Sequence, residues 1–443
     1  MADGGTIAAV SESGGNQSVF KVTVRKEYEK DVWWLIYGDN GAITVVGAKL
    51  KSVSPEQELL IEERLQQFNK PAAKSIQSED GDIIDCVDIY KQPALDHPLL
   101  KNHIIEVRPD DQHSPCKIYE ASSSSTDGLF TQVWQRSGSC PIGTIPIVRV
   151  QRHHLLNTPS IQNYGRKPWN GVKKHAVRLS NNETFDLNAE NLHAYGGLLG
   201  TGDDILGAKA IINLWNPSVQ QDSEYSSAKI WLRNGPTDRS NNIEAGWMVN
   251  PSVSNDRTVR IFTYWTADSG RTTGCFNVLC PGFVQTSDKI ALGASFSNVS
   301  TTGGRQFEFR LTVRREEESG KWWLVYGDNS TIGYWPTSLF DTLNDSATTA
   351  FFGGDVYSPV IHEKPHPSTG MGSGGYANGH FAYAAYIRLP RVQYGSPQSR
   401  YPDPYGILTT QSGCYSAENY AERLWKEPRI YFGGPGRSDP DCP

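Results

Sequence analysis

The 443-residue sequence contains no run of about 18 apolar residues, so it offers no membrane-spanning helix. It has no basic excess. Lys+Arg number 42 against Asp+Glu 48, a net charge of −6, which excludes a strongly basic nucleic-acid binder and an acidic disordered tail. Residues 1–20 lack the basic start and the apolar core of about 7–15 residues that mark a secretory leader. No Ser nucleophile elbow and no catalytic-Cys signature stands out. Methionine is scarce, at three residues, whereas cysteine, at seven, is not. Asn16, Asn182, Asn298, Asn329 and Asn344 each head an Asn-X-Ser/Thr acceptor triplet. Cysteines and acceptors together fit an oxidising, secretory environment, at odds with the absent leader.

Length alone predicts about three domains, at roughly 150 residues each. An internal repeat complicates that count. Residues 4–40 align without gaps onto 293–329, with 19 of 37 positions identical, including WWLIYGDN (33–40) against WWLVYGDN (322–329). Phe20, Val22 and Val24 match Phe309, Leu311 and Val313, while Lys21, Thr23 and Arg25 take the opposite face, the period of two of a half-buried strand. The copies diverge after Ile43. Residues 1–45 therefore read as a partial duplicate of the 293–329 hairpin segment, not an independent domain, because one hairpin is no stable module.

Ser54, Pro55 and Gln57 supply an N-cap, a first-position proline and a capping box, so a helix is predicted over 54–69. Residues 120–128 read as a flexible loop. From about residue 175 the chain breaks into short alternating apolar runs punctuated by Gly, Pro and Asn, with a helical period only near 416–425. That pattern predicts an all-β region, a sandwich.

Two motifs are decoys. His-Glu-Lys-Pro-His (362–366) has H-E-x-x-H spacing, but Pro365 and Pro367 forbid the helix that would place both His on one face. Gly370, Gly372 and Gly375 fit G-x-G-x-x-G without a surrounding βαβ unit. Cys275 and Cys280 could form a metal half-site, yet no second half follows, which favours a local disulfide. Cys414 with Cys442 and Cys86 with Cys140 are further candidate pairs, leaving Cys116 odd. Two carboxylates sit in apolar, aromatic settings: Glu244 in NNIEAGWMVNP (241–251) and Asp355 in FFGGDVYSP (351–359). Each reads on its own as a hydrogen-bonded structural acid. Facing one cleft, they would be a pair of which only one stays ionised, suited to acid.

The motifs collectively resemble the plant neprosin-like glutamic peptidases, over roughly residues 54–443. DGDIIDCVDIYKQPALDHPLLKNH (80–103) and WQRSGSCPIGTIPI (134–147) are similar to the family's activation peptide. HAVRL (175–179), IEAGWMVNP (243–251), YWTAD (264–268), CFNVLCPGFVQ (275–285), GYWP (333–336), MGSGG (371–375) and YFGGPGR (431–437) are similar to its catalytic domain. The resemblance implies an α+β activation propeptide over 54–150, a linker over 151–174 and a catalytic domain over 175–443. It implies for that domain a two-sheet antiparallel β-sandwich of lectin-like, jelly-roll type. It also implies a secreted zymogen, extracellular or vacuolar, activated in acid and cleaving near proline with two Glu and no metal or cofactor. The expected partners are a peptide or protein substrate and the chain's own propeptide as inhibitor.

The first family Glu carries over to Glu244. The second falls on Asp355, whose carboxyl group sits about 1–1.5 Å nearer the backbone than that of Glu. This shortfall implies weakened or retuned catalysis that Asp355→Glu should raise. The expected mechanism has ionised Glu244 activating water and protonated Asp355 donating, or the reverse. Trp247, Tyr334 and Trp335 are candidates both for walling the cleft and for the sandwich core. Two alternatives remain: a non-catalytic lectin-like relative binding peptide or cell-wall carbohydrate, and an aberrant product of tandem gene copies.

Overall fold

The computed structural model describes residues 53–107, 131–169, 192–395, 398–421 and 427–443. To these it adds Leu179 and the short strands at 6–7, 21–27, 32–39, 42–49, 176–178 and 184–186. Cys116 and the 120–128 loop lie outside the described residues. The backbone divides into two units, residues 1–63 and 64–443.

In the first unit, strands Thr6–Ile7, Lys21–Glu27, Val32–Asp39 and Ala42–Lys49 pair in chain order. Val22 faces Tyr37 and Arg25 faces Trp34. In the second unit Leu311 faces Tyr326 and Arg314 faces Trp323, the same pairing displaced by the repeat offset. The third strands differ, since Trp34 faces Gly47 whereas Trp323 faces Tyr334, the counterpart of residue 45. Register thus agrees where sequence is duplicated and parts where it diverges. The helix α1 runs Pro55–Phe68, with the Ser54 and Gln57 side chains and backbone amides bonded reciprocally at 3.2 Å.

The second unit begins with strands β1 (Ala72–Gln77), β2 (Ile83–Asp88) and β3 (Thr144–Val148), a three-stranded sheet. A Cys86–Cys140 disulfide anchors the segment before β3 to β2. There follow β4 (His193–Asn213), β5 (Tyr225–Asn234), β6 (Asn241–Val249), β7 (Arg260–Thr266), β8 (Glu308–Glu316), β9 (Lys321–Tyr326), β10 (Ser330–Pro336), β11 (Ala347–Tyr357), β12 (Ala385–Tyr394), β13 (Tyr405–Thr409) and β14 (Arg429–Gly433). All pair antiparallel in one continuous sheet, ordered β7-β6-β5-β11-β4-β8-β9-β10 along its main path.

The 21-residue strand β4 makes two layers out of that one sheet. Residues 193–201 pair with β11 and β13, residues 207–213 pair with β8 and β12, and the register shifts between Thr201 and Ile205. The expected sandwich is therefore all-β, with its layers joined through a shared strand. Of the 416–425 stretch where a helical period was expected, Ser416–Asn419 is a strand paired with β14, and 422–425 lies outside the described residues. Cross-strand partners outweigh local period there.

One face of each layer fills the main core, which contains Ile230, Ile243, Trp247, Phe352, Leu311, Trp322, Trp335 and their neighbours. Strand β8 shows the simple rule, burying Phe309, Leu311 and Val313 while Arg310, Thr312 and Arg314 are half-exposed. Strand β6 breaks the rule, because every one of its residues is buried. A strand covered on both faces cannot send its polar side chains to water, and that is where Glu244 lies.

Trp247 is fully buried, and its Nε1 donates to the Asn213 carbonyl at 2.9 Å. Trp247→Ala should accordingly cost about 3–5 kcal/mol in urea unfolding. A loss below about 1 kcal/mol would contradict its placement in the core.

Candidate active site

Glu244 and Asp355 face the same side of the sheet, away from the main core. On β6, Ile243, Ala245, Trp247 and Val249 enter that core, so alternation turns Glu244 to the other face. On β11, Ala350, Phe352 and Val356 do the same, which turns Asp355 with Phe351 and Tyr357. Strand β5 runs between them and contributes Ser227, Lys229 and Trp231 to this second face. Lys229 lies opposite Gly246 on β6 and Gly353 on β11. A Cβ at Gly246 would meet the Ala228 carbonyl at 1.9 Å, and one at Gly353 would meet the Gly196 carbonyl at 2.3 Å. With no side chain at either position, Lys229 is free to reach diagonally toward both carboxylates.

Lys229 Nζ donates to Glu244 Oε2 at 2.9 Å and to Asp355 Oδ2 at 2.6 Å. The outer oxygens are held too. Lys167, from the segment before the large sheet, donates to Glu244 Oε1 at 2.6 Å, and His193 Nδ1 on β4 lies 2.6 Å from Asp355 Oδ1. The line runs Lys167, Glu244, Lys229, Asp355, His193. Glu244 and Lys229 are 1% exposed and Asp355 0%, so the pairs are desolvated, and each carboxylate must find its compensation within the protein.

Aromatic rings enclose the cluster. His193 stacks on Tyr195 at 5.7 Å and packs against Tyr225 and Tyr357. Lys229 lies over the Tyr195 and Trp231 rings, and Lys167 lies over Tyr264 at 4.4 Å. The linker is seated by the Phe276 amide donating to the Gly165 carbonyl at 2.7 Å and by the Tyr164 hydroxyl donating to the Val253 carbonyl at 2.6 Å. The Ser227 hydroxyl, on the same face and opposite Asp355, has no hydrogen-bond partner among the described residues.

Burial would raise the Asp355 carboxyl group. The charges of His193, Lys229 and Lys167 and the His193 hydrogen bond outweigh it and hold the group well below the usual carboxylate range. Of the two expected orders, this lowering is at odds with a protonated Asp355 as the donor and compatible with the reverse, in which Asp355 is the ionised partner.

The remaining expected site residues lie elsewhere. Trp247 points to the opposite face of β6 from Glu244. Tyr334 and Trp335 belong to the main core on β10. Tyr334 is covered by the activation segment, its hydroxyl 2.7 Å from His103 Nε2. Disulfides join Cys275 to Cys280 and Cys414 to Cys442. His366 lies within 4.8 Å of the Cys414 and Cys442 sulfurs, but a disulfide offers a metal no thiolate. His362 lies in a turn and His366 in irregular backbone, so neither sits on a helix.

The residues not singled out from sequence are Lys229, Lys167 and His193. The legible signal was Lys229 itself, a charge in the middle of the strand SSAKIWL. Its partners are cross-strand neighbours 15 and 126 residues away.

A family model described as Neprosin matches residues 222–435, and one described as Neprosin activation peptide matches residues 75–196. Among solved structures, a scytalido-glutamic peptidase with a transition state analog inhibitor is 12% identical, over 54% of this chain and 97% of its own, with a TM-score of 0.32. SCP-B, an Eqolisin-family peptidase in complex with a tripeptide, is 11% identical over 54% and 96%, with a TM-score of 0.28. At these scores the likeness carries no argument.

A carboxyl group lowered on folding contributes stability that is present above its unfolded value and lost as pH falls through its folded value. Asp355→Asn should therefore destabilise by about 3–5 kcal/mol at neutral pH. Urea unfolding should show that deficit undiminished down to about pH 4 and shrinking only in stronger acid. A variant as stable as the wild type at neutral pH would contradict the pairing.

Proposed function

The chain belongs to the neprosin family, and on that basis we propose that it is the latent form of an acid-active glutamic endopeptidase that cleaves near proline. Family membership makes it a peptidase with an activation peptide. The observation that carries the finer reading is the Lys167–Glu244 pair. Lys167 lies within the activation-peptide match and Glu244 within the catalytic match, and the ammonium occupies Glu244 Oε1, the oxygen that Lys229 leaves open. Departure of Lys167 would free that oxygen to take a proton from a water attacking a scissile carbonyl. Latency would then lie in the linker as much as in the folded propeptide.

The propeptide's docking has an acid-sensitive part. Asp80, just before β2, accepts from the Ser295 hydroxyl of the catalytic part. Burial would raise its carboxyl group, but hydrogen bonds from Ser295, Ser78 and the Asp82 backbone and the charge of Arg260 lower it. This contact contributes above the unfolded Asp value and is lost as pH falls through the folded one. Asp82 has the opposite sign. Its ion pair with Arg260 is closed at 2.6 Å, yet burial raises its carboxyl group. The docked state therefore binds that proton more tightly, and Asp82 does not drive release. Three disulfides support maturation in an oxidising compartment, extracellular or vacuolar.

A second reading has one observation in its favour. Two lysines and a histidine compensate two buried acids, as they would in a purely structural cluster of a non-catalytic relative. Incubation with a proline-containing peptide separates the two. Lys167→Ala should cleave sooner than the wild type after acidification, and Glu244→Gln should lose about 10²–10⁴-fold in rate. Asp80→Asn, which lacks the charged contact at every pH, should shift processing of the full chain to higher pH. Cleavage undiminished in Glu244→Gln would refute the assignment, and no cleavage by any form would favour the non-catalytic reading.

A further inference from the structure

Once Lys167 has left, the peptidase reading supplies a base at Glu244, while both oxygens of Asp355 stay engaged, one by Lys229 and one by His193. Some group must meet the negative charge that develops on the carbonyl oxygen. We infer that Lys229 is that group: its ammonium, fixed between Glu244 and Asp355, is the electrostatic catalyst that stabilises the oxyanion. The inference rests on the proposed peptidase activity and names a catalytic residue within it.

Three observations converge. Lys229 touches the carboxylate that would activate the water, so base and cation lie one hydrogen bond apart. It is 1% exposed, and in a desolvated site a fixed positive charge acts far more strongly than in water. It is also positioned from behind, by Asp355 at 2.6 Å, which His193 holds in turn at 2.6 Å. Asp355 and His193 thus act as positioning residues. The Ser227 hydroxyl, unpartnered among the described residues, lies two residues along β5 on the same face and opposite Asp355.

The groups around the ammonium are Glu244 on β6, Asp355 on β11, His193 and Tyr195 on β4, and Trp231 on its own strand. Lys167 and Tyr264 lie beyond Glu244. The step balances within these residues. Water gives a proton to Glu244 as its oxygen bonds to the carbonyl carbon, and the π pair moves onto the carbonyl oxygen beside Lys229. Collapse re-forms the C=O bond and breaks the C–N bond. Glu244 then returns its proton to the leaving nitrogen, and Lys229 stays an ammonium throughout.

A pair sharing one proton loses activity as pH rises and that proton leaves. A site carrying an ammonium does not share that limit. On a proline-containing peptide, the acid-processed wild type should lose less of its acid activity toward neutral pH than the Lys229 variants do. Lys229→Gln and Lys229→Met should lower kcat by about 10²–10³-fold with KM little changed. Their residual activity should be confined to acid, where the two carboxylates can share a proton. Because Lys229→Met strands two buried carboxylates, a second comparison starts from Asp355→Asn. Adding Lys229→Met to that background should remove a further tenfold or more in kcat, with folding checked by urea unfolding.

Equal kcat and superimposable pH profiles for wild type and Lys229 variants would overturn the inference while leaving the peptidase reading intact. If the processed wild type cleaves nothing at any pH, the peptidase reading falls and takes this inference with it.

Discussion

A single buried ammonium shared by two carboxylates is the constraint on which this site depends. Lys229 has to reach both Glu244 and Asp355, so the strand that carries it must run between theirs. Its flanking positions must be glycine, and the three strands must turn their second face inward. None of these conditions is favourable in isolation. Glycine weakens a strand, buried ions lose their hydration, and a strand polar on a covered face cannot use water to satisfy its side chains. Together they compensate one another, since each charge is met by a partner within 3 Å. The Asp at position 355 fits the same logic. Its carboxyl group is short of a Glu by one methylene, and a flexible four-carbon lysine stem spans what the shorter acid does not.

On the proposed reading, latency and chemistry meet at one carboxylate. Glu244 presents one oxygen to the propeptide side, where Lys167 takes it, and the other to the catalytic side, where Lys229 holds it. In the proposed mechanism, removing the linker would exchange an ammonium for water and leave the Lys229–Asp355–His193 half of the cluster in place. Further contacts join activation segment and sandwich. They include Gln92 with Gln285, Gln132 with Ala291 and Lys321 with Glu106. Of the carboxylates at that interface, Asp80 and Asp82 respond to acid with opposite sign, so acidification does not loosen the interface uniformly.

Much of this was legible in the sequence, for identifiable reasons. The helix at 55–68 is specified by neighbours three residues apart, and the repeated hairpin keeps its register because its alternation is local. Glu244 and Asp355 stood out as acids in apolar surroundings. The cation joining them did not, because strand order decides which residues become neighbours across a sheet, and β11 reaches β5 from 126 residues along the chain. The same limit left Trp247, Tyr334 and Trp335 open between cleft wall and core. Trp247 lies an odd number of residues from Glu244 and so on the opposite face of β6, and which face that is emerges only from the strands packed on either side. The 416–419 strand was missed because its partner, β14, supplies what its own sequence lacks.

The most direct test of a Glu244–Lys229 site vacated by Lys167 is a crystal structure of the acid-processed protein with a proline-containing peptide analogue bound. The account predicts the scissile carbonyl oxygen, or its tetrahedral mimic, within hydrogen-bonding distance of Lys229 Nζ. It also predicts Glu244 Oε1 turned to the attacking position and Asp355 still bridged to His193. A peptide bound on another face of the sheet, or Lys167 still paired with Glu244 in the processed form, would contradict it.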